Sequence, residues 1–194
     1  MNELTGKDYT GKGWFEFPDG REYTGDFAEG LPNGRGLMRF PNFDECEGEW
    51  IKGQVNGFGI YRRYDPKTDK SMKIYEGAFK ESTFHGFGKQ YASNRSVYYG
   101  AWEKGKKEGF GQVVYPSGAQ VFGMWHDDTI VEGTYTLPDG SRYVGQFDQF
   151  QFAGKGVLIQ PDGSIMQGIW QAGKLVEGAK VDSNGMITLV QKEE

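Results

Sequence analysis

The sequence predicts an all-β protein, a single elongated, twisted antiparallel sheet built from about eight consecutive β-hairpins. Three observations predict it. A glycine pair, G-x-G, recurs at near-constant spacing, a bulky–glycine–bulky pattern follows it in step, and turn residues stand between the two. The second glycine of each pair falls at Gly13, Gly36, Gly59, Gly88, Gly111, Gly133, Gly156 and Gly178, at intervals of 23, 23, 29, 23, 22, 23 and 22 residues. A fixed period in this range marks a repeat architecture and outranks any local reading.

The first unit, Gly11–Phe27, shows how each hairpin is specified. Read with period two, Gly11, Gly13, Phe15 and Phe17 share one strand face. Pro18-Asp19-Gly20 then reverses the chain: proline presets φ, aspartate bonds its own backbone, and glycine takes the left-handed position of a three-residue loop. The return strand sets Tyr23, Gly25 and Phe27 on one side and Glu22, Thr24 and Asp26 on the other.

The remaining return strands repeat this order around Gly48, Gly77, Gly100, Gly123, Gly145 and Gly168. Turns recur at Pro41-Asn42-Phe43, Ser93-Asn94-Arg95, Pro116-Ser117-Gly118, Pro138-Asp139-Gly140, Pro161-Asp162-Gly163 and Ser183-Asn184-Gly185. The predicted division is a lead-in at 1–10, hairpins at 11–27, 34–50, 57–79, 86–102, 109–125, 131–147, 154–170 and 176–190, and a tail at 191–194. The third hairpin carries a swollen, lysine-bearing loop, Tyr64–Ile74, expected to project from one edge. The eighth has lost the aromatic pattern on its return strand, as terminal repeats do.

Composition agrees. Of 194 residues, 31 are glycine, 15% are aromatic and only 37% are hydrophobic, which suits a thin sheet better than a thick core. A net charge of −5 gives no electrostatic reason to expect nucleic acid or an anionic bilayer as main partner. The single cysteine, Cys46, cannot form an internal disulfide and fits a reducing compartment. The N-terminal stretch lacks an apolar signal region, so the expected location is cytoplasmic.

With YEGAF, HGFG and PDG at these offsets, the unit resembles the MORN (membrane occupation and recognition nexus) repeat, over essentially Gly11 to Gly185. Departures are local. Cys46, Val121 and Met166 replace the first aromatic and should thin the aromatic row. Val131 and Val176 replace the first glycine of the pair, and Phe43 and Arg95 the turn glycine; these should bend or tighten the ribbon. The resemblance implies a single curved sheet with an aromatic groove. Sixteen strands about 4.8 Å apart span roughly 75 Å before twist.

No catalytic constellation emerges. His85 and His126 lie in linkers of different repeats, Cys46 has no histidine in a matching position, and the G-x-G pairs lack the lysine and helix of a phosphate loop. The reading is therefore of a non-enzyme with no metal and no cofactor. Two surfaces remain. One is the row Tyr23, Phe27, Trp50, Tyr75, Phe79, Tyr98, Trp102, Trp125, Tyr143, Phe147 and Trp170, the core of a one-layer sheet and, with no second layer over it, an exposed apolar stripe for a partner such as an amphipathic helix. The other is Phe58, Phe87 and Phe110 on the opposite face, which either form an outer patch or pack beneath neighbouring linkers; packing is favoured.

The functional expectation is a protein-interaction scaffold. Its resemblance to MORN-only proteins implies a component of a cytoskeletal, ciliary or flagellar assembly, able to pair end to end through its last repeat, where Ile187 and Leu189 give the strand an apolar side. A membrane-lipid tether is the alternative, resting on Lys104, Lys106 and Lys107 and on Lys67, Lys70 and Lys73. Those lysines fall short of the contiguous basic cluster that such binding needs. A third reading is a targeting or regulatory subunit serving an enzyme in trans.

Overall fold

The computed structural model describes residues 9–191, so positions 1–8 of the expected lead-in and 192–194 of the expected tail lie outside the described residues. There is no helix. Sixteen strands follow in chain order: β1 (Gly11–Glu16), β2 (Glu22–Ala28), β3 (Leu31–Arg39), β4 (Glu45–Ile51), β5 (Gln54–Asp65), β6 (Lys70–Lys80), β7 (Thr83–Tyr91), β8 (Val97–Glu103), β9 (Lys106–Val114), β10 (Gln120–His126), β11 (Thr129–Thr136), β12 (Arg142–Asp148), β13 (Gln151–Ile159), β14 (Ile165–Gln171), β15 (Lys174–Val181) and β16 (Ile187–Val190). They make one open antiparallel sheet in which every strand neighbours the next in sequence. The described residues divide into two compact units, 9–92 with 102–105, and 93–101 with 106–191.

Turn chemistry explains the hairpins. In the first, Phe17 donates its N–H to Arg21 O at 2.7 Å and Gly20 donates to Phe17 O at 2.9 Å, while Asp19 Oδ1 accepts from the Arg21 amide. The turns closed by Gly118, Gly140, Gly163 and Gly185 repeat the second bond. Phe43 and Arg95 stand where glycine is expected, yet both hold φ at 64°, close to the glycine geometry. The expected bend at these two positions is therefore absent. Each residue accepts the left-handed backbone instead, at a cost of about 1 kcal/mol.

The linkers between hairpins are themselves two-residue turns with both residues left-handed, as at Lys52-Gly53 (φ 49° and 82°) and Gln149-Phe150 (46° and 63°). This type matches the twist of the flanking strands. Pairing consequently begins several residues before the glycine pairs: β5 starts at Gln54 and β13 at Gln151. Within the first unit the Gly53 amide donates to Pro32 O and the Gly105 amide to Phe84 O, both at 2.9 Å; within the second, the Gly173 amide donates to Phe152 O at 3.0 Å.

Bulges account for the alternation between 23 and 22 residues. After Gly145↔Gly156 the ladder resumes at Gln146↔Ala153, leaving Gly154 and Lys155 unmatched. After Met124↔Glu132 it resumes at Trp125↔Ile130 and leaves only Val131; after Ile169↔Glu177 it resumes at Trp170↔Leu175 and leaves only Val176. The longer bulge needs a left-handed residue, and Gly34, Gly57, Gly86, Gly109 and Gly154 all have positive φ. The shorter one does not, so valine is tolerated and the spacing drops from 23 to 22 residues. At Val131 and Val176 the effect is thus a bulge one residue shorter.

The third hairpin also differs from expectation. Tyr64–Ile74 is mostly strand: β5 and β6 keep pairing out to Asp65↔Lys70, and only 66–69 form the tip. Buried Asp44 anchors the extension, accepting from the Tyr64 amide at 2.9 Å, from the Tyr61 hydroxyl and from Asn42 Nδ2.

Candidate functional site

Within each unit, glycines of successive strands line up across the ladder. In the first unit Gly13, Gly25, Gly36, Gly48 and Gly59 face one another in turn, followed by Gly77 and Gly88. In the second, Gly111, Gly123, Gly133, Gly145, Gly156, Gly168 and Gly178 do the same. Tyrosine rings lie flat in the space so left. A Cβ added to Gly36 would stand 2.2 Å from the Tyr23 hydroxyl, and one added to Gly156 would stand 2.2 Å from that of Tyr143.

Each such tyrosine also repairs the bulge beside it. The hydroxyls of Tyr23, Tyr75, Tyr98 and Tyr143 donate to the carbonyls of Asp26, Ala78, Ala101 and Gln146, each three residues on and beside the bulge. The tryptophans seal the row from the other side. Trp50, Trp102, Trp125 and Trp170 donate Nε1–H to the carbonyls of Gly36, Gly88, Gly111 and Gly156. Burial pushes the Tyr23 hydroxyl up to about 12 and raises that of Tyr75 further, so both remain neutral donors.

The row is consequently closed. All eleven ring residues predicted as a groove are buried, from 0% exposure at Tyr23, Tyr75 and Tyr143 to 8% at Phe147. The expectation of an open aromatic stripe does not hold, because rings cover rings: Tyr23 meets Trp50 edge to face at 5.5 Å and Tyr143 meets Trp170 at 5.4 Å. Two rings that the sequence reading passed over complete the cover. Phe84 stacks on Tyr75 and Phe152 on Tyr143, both at 3.8 Å. Their signal was an apolar residue two places before the first glycine, shared with Pro32 and Val55. Lys107 takes this place in β9, its ammonium 5.3 Å from the Tyr98 ring centre and 5.9 Å from that of Trp125, with burial pulling its pKa down.

The cover fails where the tyrosine is missing in the first unit. At Cys46 a cleft of about 440 Å³ opens among Met38, Phe40, Trp50, Val55, Phe79 and Phe84. The glycines that would carry a ring there, Gly48 and Gly59, are retained. The Cys46 thiol is buried and pushed up to about 12, which makes it inert as a nucleophile.

On the opposite face Phe58, Phe87 and Phe110 are 60%, 66% and 60% exposed. The expectation that they pack beneath linkers fails, since two-residue turns cannot fold back over them. Of the six lysines behind the lipid alternative, Lys73, Lys104, Lys106 and Lys107 pair with Glu76, Glu103, Asp127 and Asp128. His126 bonds Glu108 through Nδ1 at 2.9 Å, and no group of three or more metal-ligating side chains converges among the described residues.

The MORN repeat profile matches residues 9–20, 23–45, 46–65, 75–97, 98–120, 122–142 and 143–165. The chain belongs to the MORN-repeat family. No curated protein is close enough in sequence to count as a relative. Among solved structures this MORN array is similar to the SAS-4 (dCPAP) TCP domain of Drosophila melanogaster, solved with a proline-rich motif of Ana2 (dSTIL): 12% identity, TM-score 0.49, over 93% of this chain and 90% of that one. It is also similar to a mutant TCP10 domain of Danio rerio CPAP: 16% identity, TM-score 0.31, over 93% and 99%. At these values the likeness carries no functional information.

Proposed function

We propose that this MORN protein is a non-catalytic protein-interaction scaffold that receives a partner segment on its ring-bearing face. The observation that carries the proposal is the cleft at Cys46: a gap of about 440 Å³ in the aromatic row of the first unit, lined by apolar side chains and edged by Arg21 and Ser82. An amphipathic helix laid across the first unit would seat one large apolar side chain there and rest on the rims of its neighbours. The resemblance to MORN-only proteins supports a cytoskeletal setting, with a cilium or flagellum as the specific place, and pairing of two chains through β16, where Ile187 and Leu189 are exposed.

Cys46→Tyr tests this by filling the gap with the residue other repeats carry. A photo-crosslinking amino acid at Arg21 should capture a defined partner from cytoskeletal extracts, and Cys46→Tyr should abolish capture without unfolding the chain. Capture unchanged by the substitution would refute the cleft as the anchor. For pairing, light scattering should show a dimer that Ile187→Lys dissociates.

A further inference from the structure

The second unit carries a separate opening on the face away from the rings. It is a cleft of about 840 Å³ running across β9 to β14, floored by Gly123, Gly133, Gly145, Gly156 and Gly168. The register defines its walls. On one side stand Phe122, Thr134, Val144, Val157 and Gln167, and on the other Phe110, Met124, Glu132, Lys155 and Ile169. Phe110 and Phe122 lie near parallel, 6.3 Å apart, and Phe122 is 55% exposed. Exposed apolar side chains thus flank the glycine floor on both sides.

Three properties narrow the occupant. The floor residues are ladder-paired on both sides, so they offer an incoming backbone few free donors or acceptors. A segment rich in proline, with few N–H groups to desolvate, loses least on entering. The spacing fits as well: two strands cover about 9.6 Å, and one turn of a polyproline II helix advances about 9.3 Å. Every third residue of such a helix would therefore meet the same wall in successive repeats. An α-helix, with a pitch of about 5.4 Å, would not keep this register. Finally, the second wall carries one charge of each sign, Glu132 on β11 and Lys155 on β13, two strands apart, and among the described residues no ion pair satisfies either.

We propose that this outer channel binds a proline-rich segment of another protein, held as a polyproline II helix across the strands, with a basic residue on Glu132 and an acidic residue three places away on Lys155. The channel, from β9 to β14, is about 24 Å long and holds about eight residues in this form. The inference is independent of the Cys46 cleft, which lies on the other face and in the other unit.

The probe is a fluorescein-labelled peptide, Pro-Pro-Lys-Pro-Pro-Glu-Pro-Pro-Pro, titrated with the full chain by fluorescence anisotropy. Saturable binding with a Kd below about 1 mM is expected, with a loss of about tenfold in Phe122→Ser. Lys155→Glu should weaken this peptide and strengthen one in which lysine replaces its glutamate, while Cys46→Tyr should change nothing. Circular dichroism checks that each variant stays folded. The proposal is overturned by no saturation near 1 mM, by equal binding of a peptide with glycine and serine in place of proline, or by indifference to either channel substitution. Loss of binding in Cys46→Tyr would place the peptide on the other face and overturn it too. So would a dimer, seen by light scattering, that Phe122→Ser dissolves, since the occupant would then be a second copy.

Discussion

Replacing Gly88 by alanine should be among the most damaging small changes in the chain. Its Cβ would fall 2.2 Å from the Tyr75 hydroxyl and 2.4 Å from Cζ, well inside van der Waals contact. Backbone cannot yield here, since Gly88 is paired to Gly77 in the ladder and its carbonyl accepts from Trp102. The Tyr75 ring must lift. Lifting it exposes a fully buried ring, about 2–3 kcal/mol, breaks the 3.8 Å stack on Phe84, about 1 kcal/mol, and strips the Ala78 carbonyl of its donor, about 1–2 kcal/mol. The total is about 4–6 kcal/mol, a large part of the 5–15 kcal/mol that holds a typical domain. Gly118→Ala is the control: φ is +89° and nothing lies within 4 Å of the added carbon, so only backbone strain of about 1 kcal/mol applies. Urea titrations followed by tryptophan fluorescence would compare the two. Most of the Gly88→Ala cost should vanish in a Tyr75→Leu background. If the two glycine substitutions cost the same, or if the cost survives without the tyrosine, the account of the glycine row is wrong.

Arg95→Gly should raise stability by up to about 1 kcal/mol, read as a higher urea midpoint, because arginine there holds φ at 64°. A lower midpoint would mean that the side chain contributes contacts exceeding the strain. Cys46, with its thiol pushed up to about 12 by burial, should resist iodoacetamide at pH 8 in the native protein and react promptly in urea; rapid native labelling would show that the cleft breathes open. His126 is raised by its bond to Glu108, so its stabilising contribution is present below the unfolded value of about 6.5 and fades as pH climbs through the higher folded value. An NMR titration should show that elevation, and Glu108→Gln should remove it.

The period and the identity of the inward rings were legible because both follow directly from spacing and alternation. What was not legible follows from how neighbouring repeats meet. Phe84 and Phe152 sit in stretches that read as linker, since only the register shows that pairing resumes right after a two-residue turn. The row was expected to lie open because a lone sheet has no second layer, yet the glycines let tyrosine rings lie flat enough for tryptophans and phenylalanines of adjacent strands to cover them. Similarly, Val131 and Val176 read as damaged glycine positions, whereas each belongs to a bulge that needs one residue fewer. The Cys46 cleft could be anticipated as a thinned row, but its volume depends on how Phe79 and Phe84 fill around it.

The amides at Gly53, Gly105 and Gly173 have a temporal consequence. Each donates to a carbonyl that lies earlier in the chain, at Pro32, Phe84 and Phe152 respectively. During synthesis the acceptor has therefore already left the ribosome when its donor emerges, and every new hairpin finds a finished template to dock on. Growth is polar: an interrupted chain would end on carbonyls awaiting a donor, whereas a chain missing its first repeat would begin with a turn that has nothing to hold.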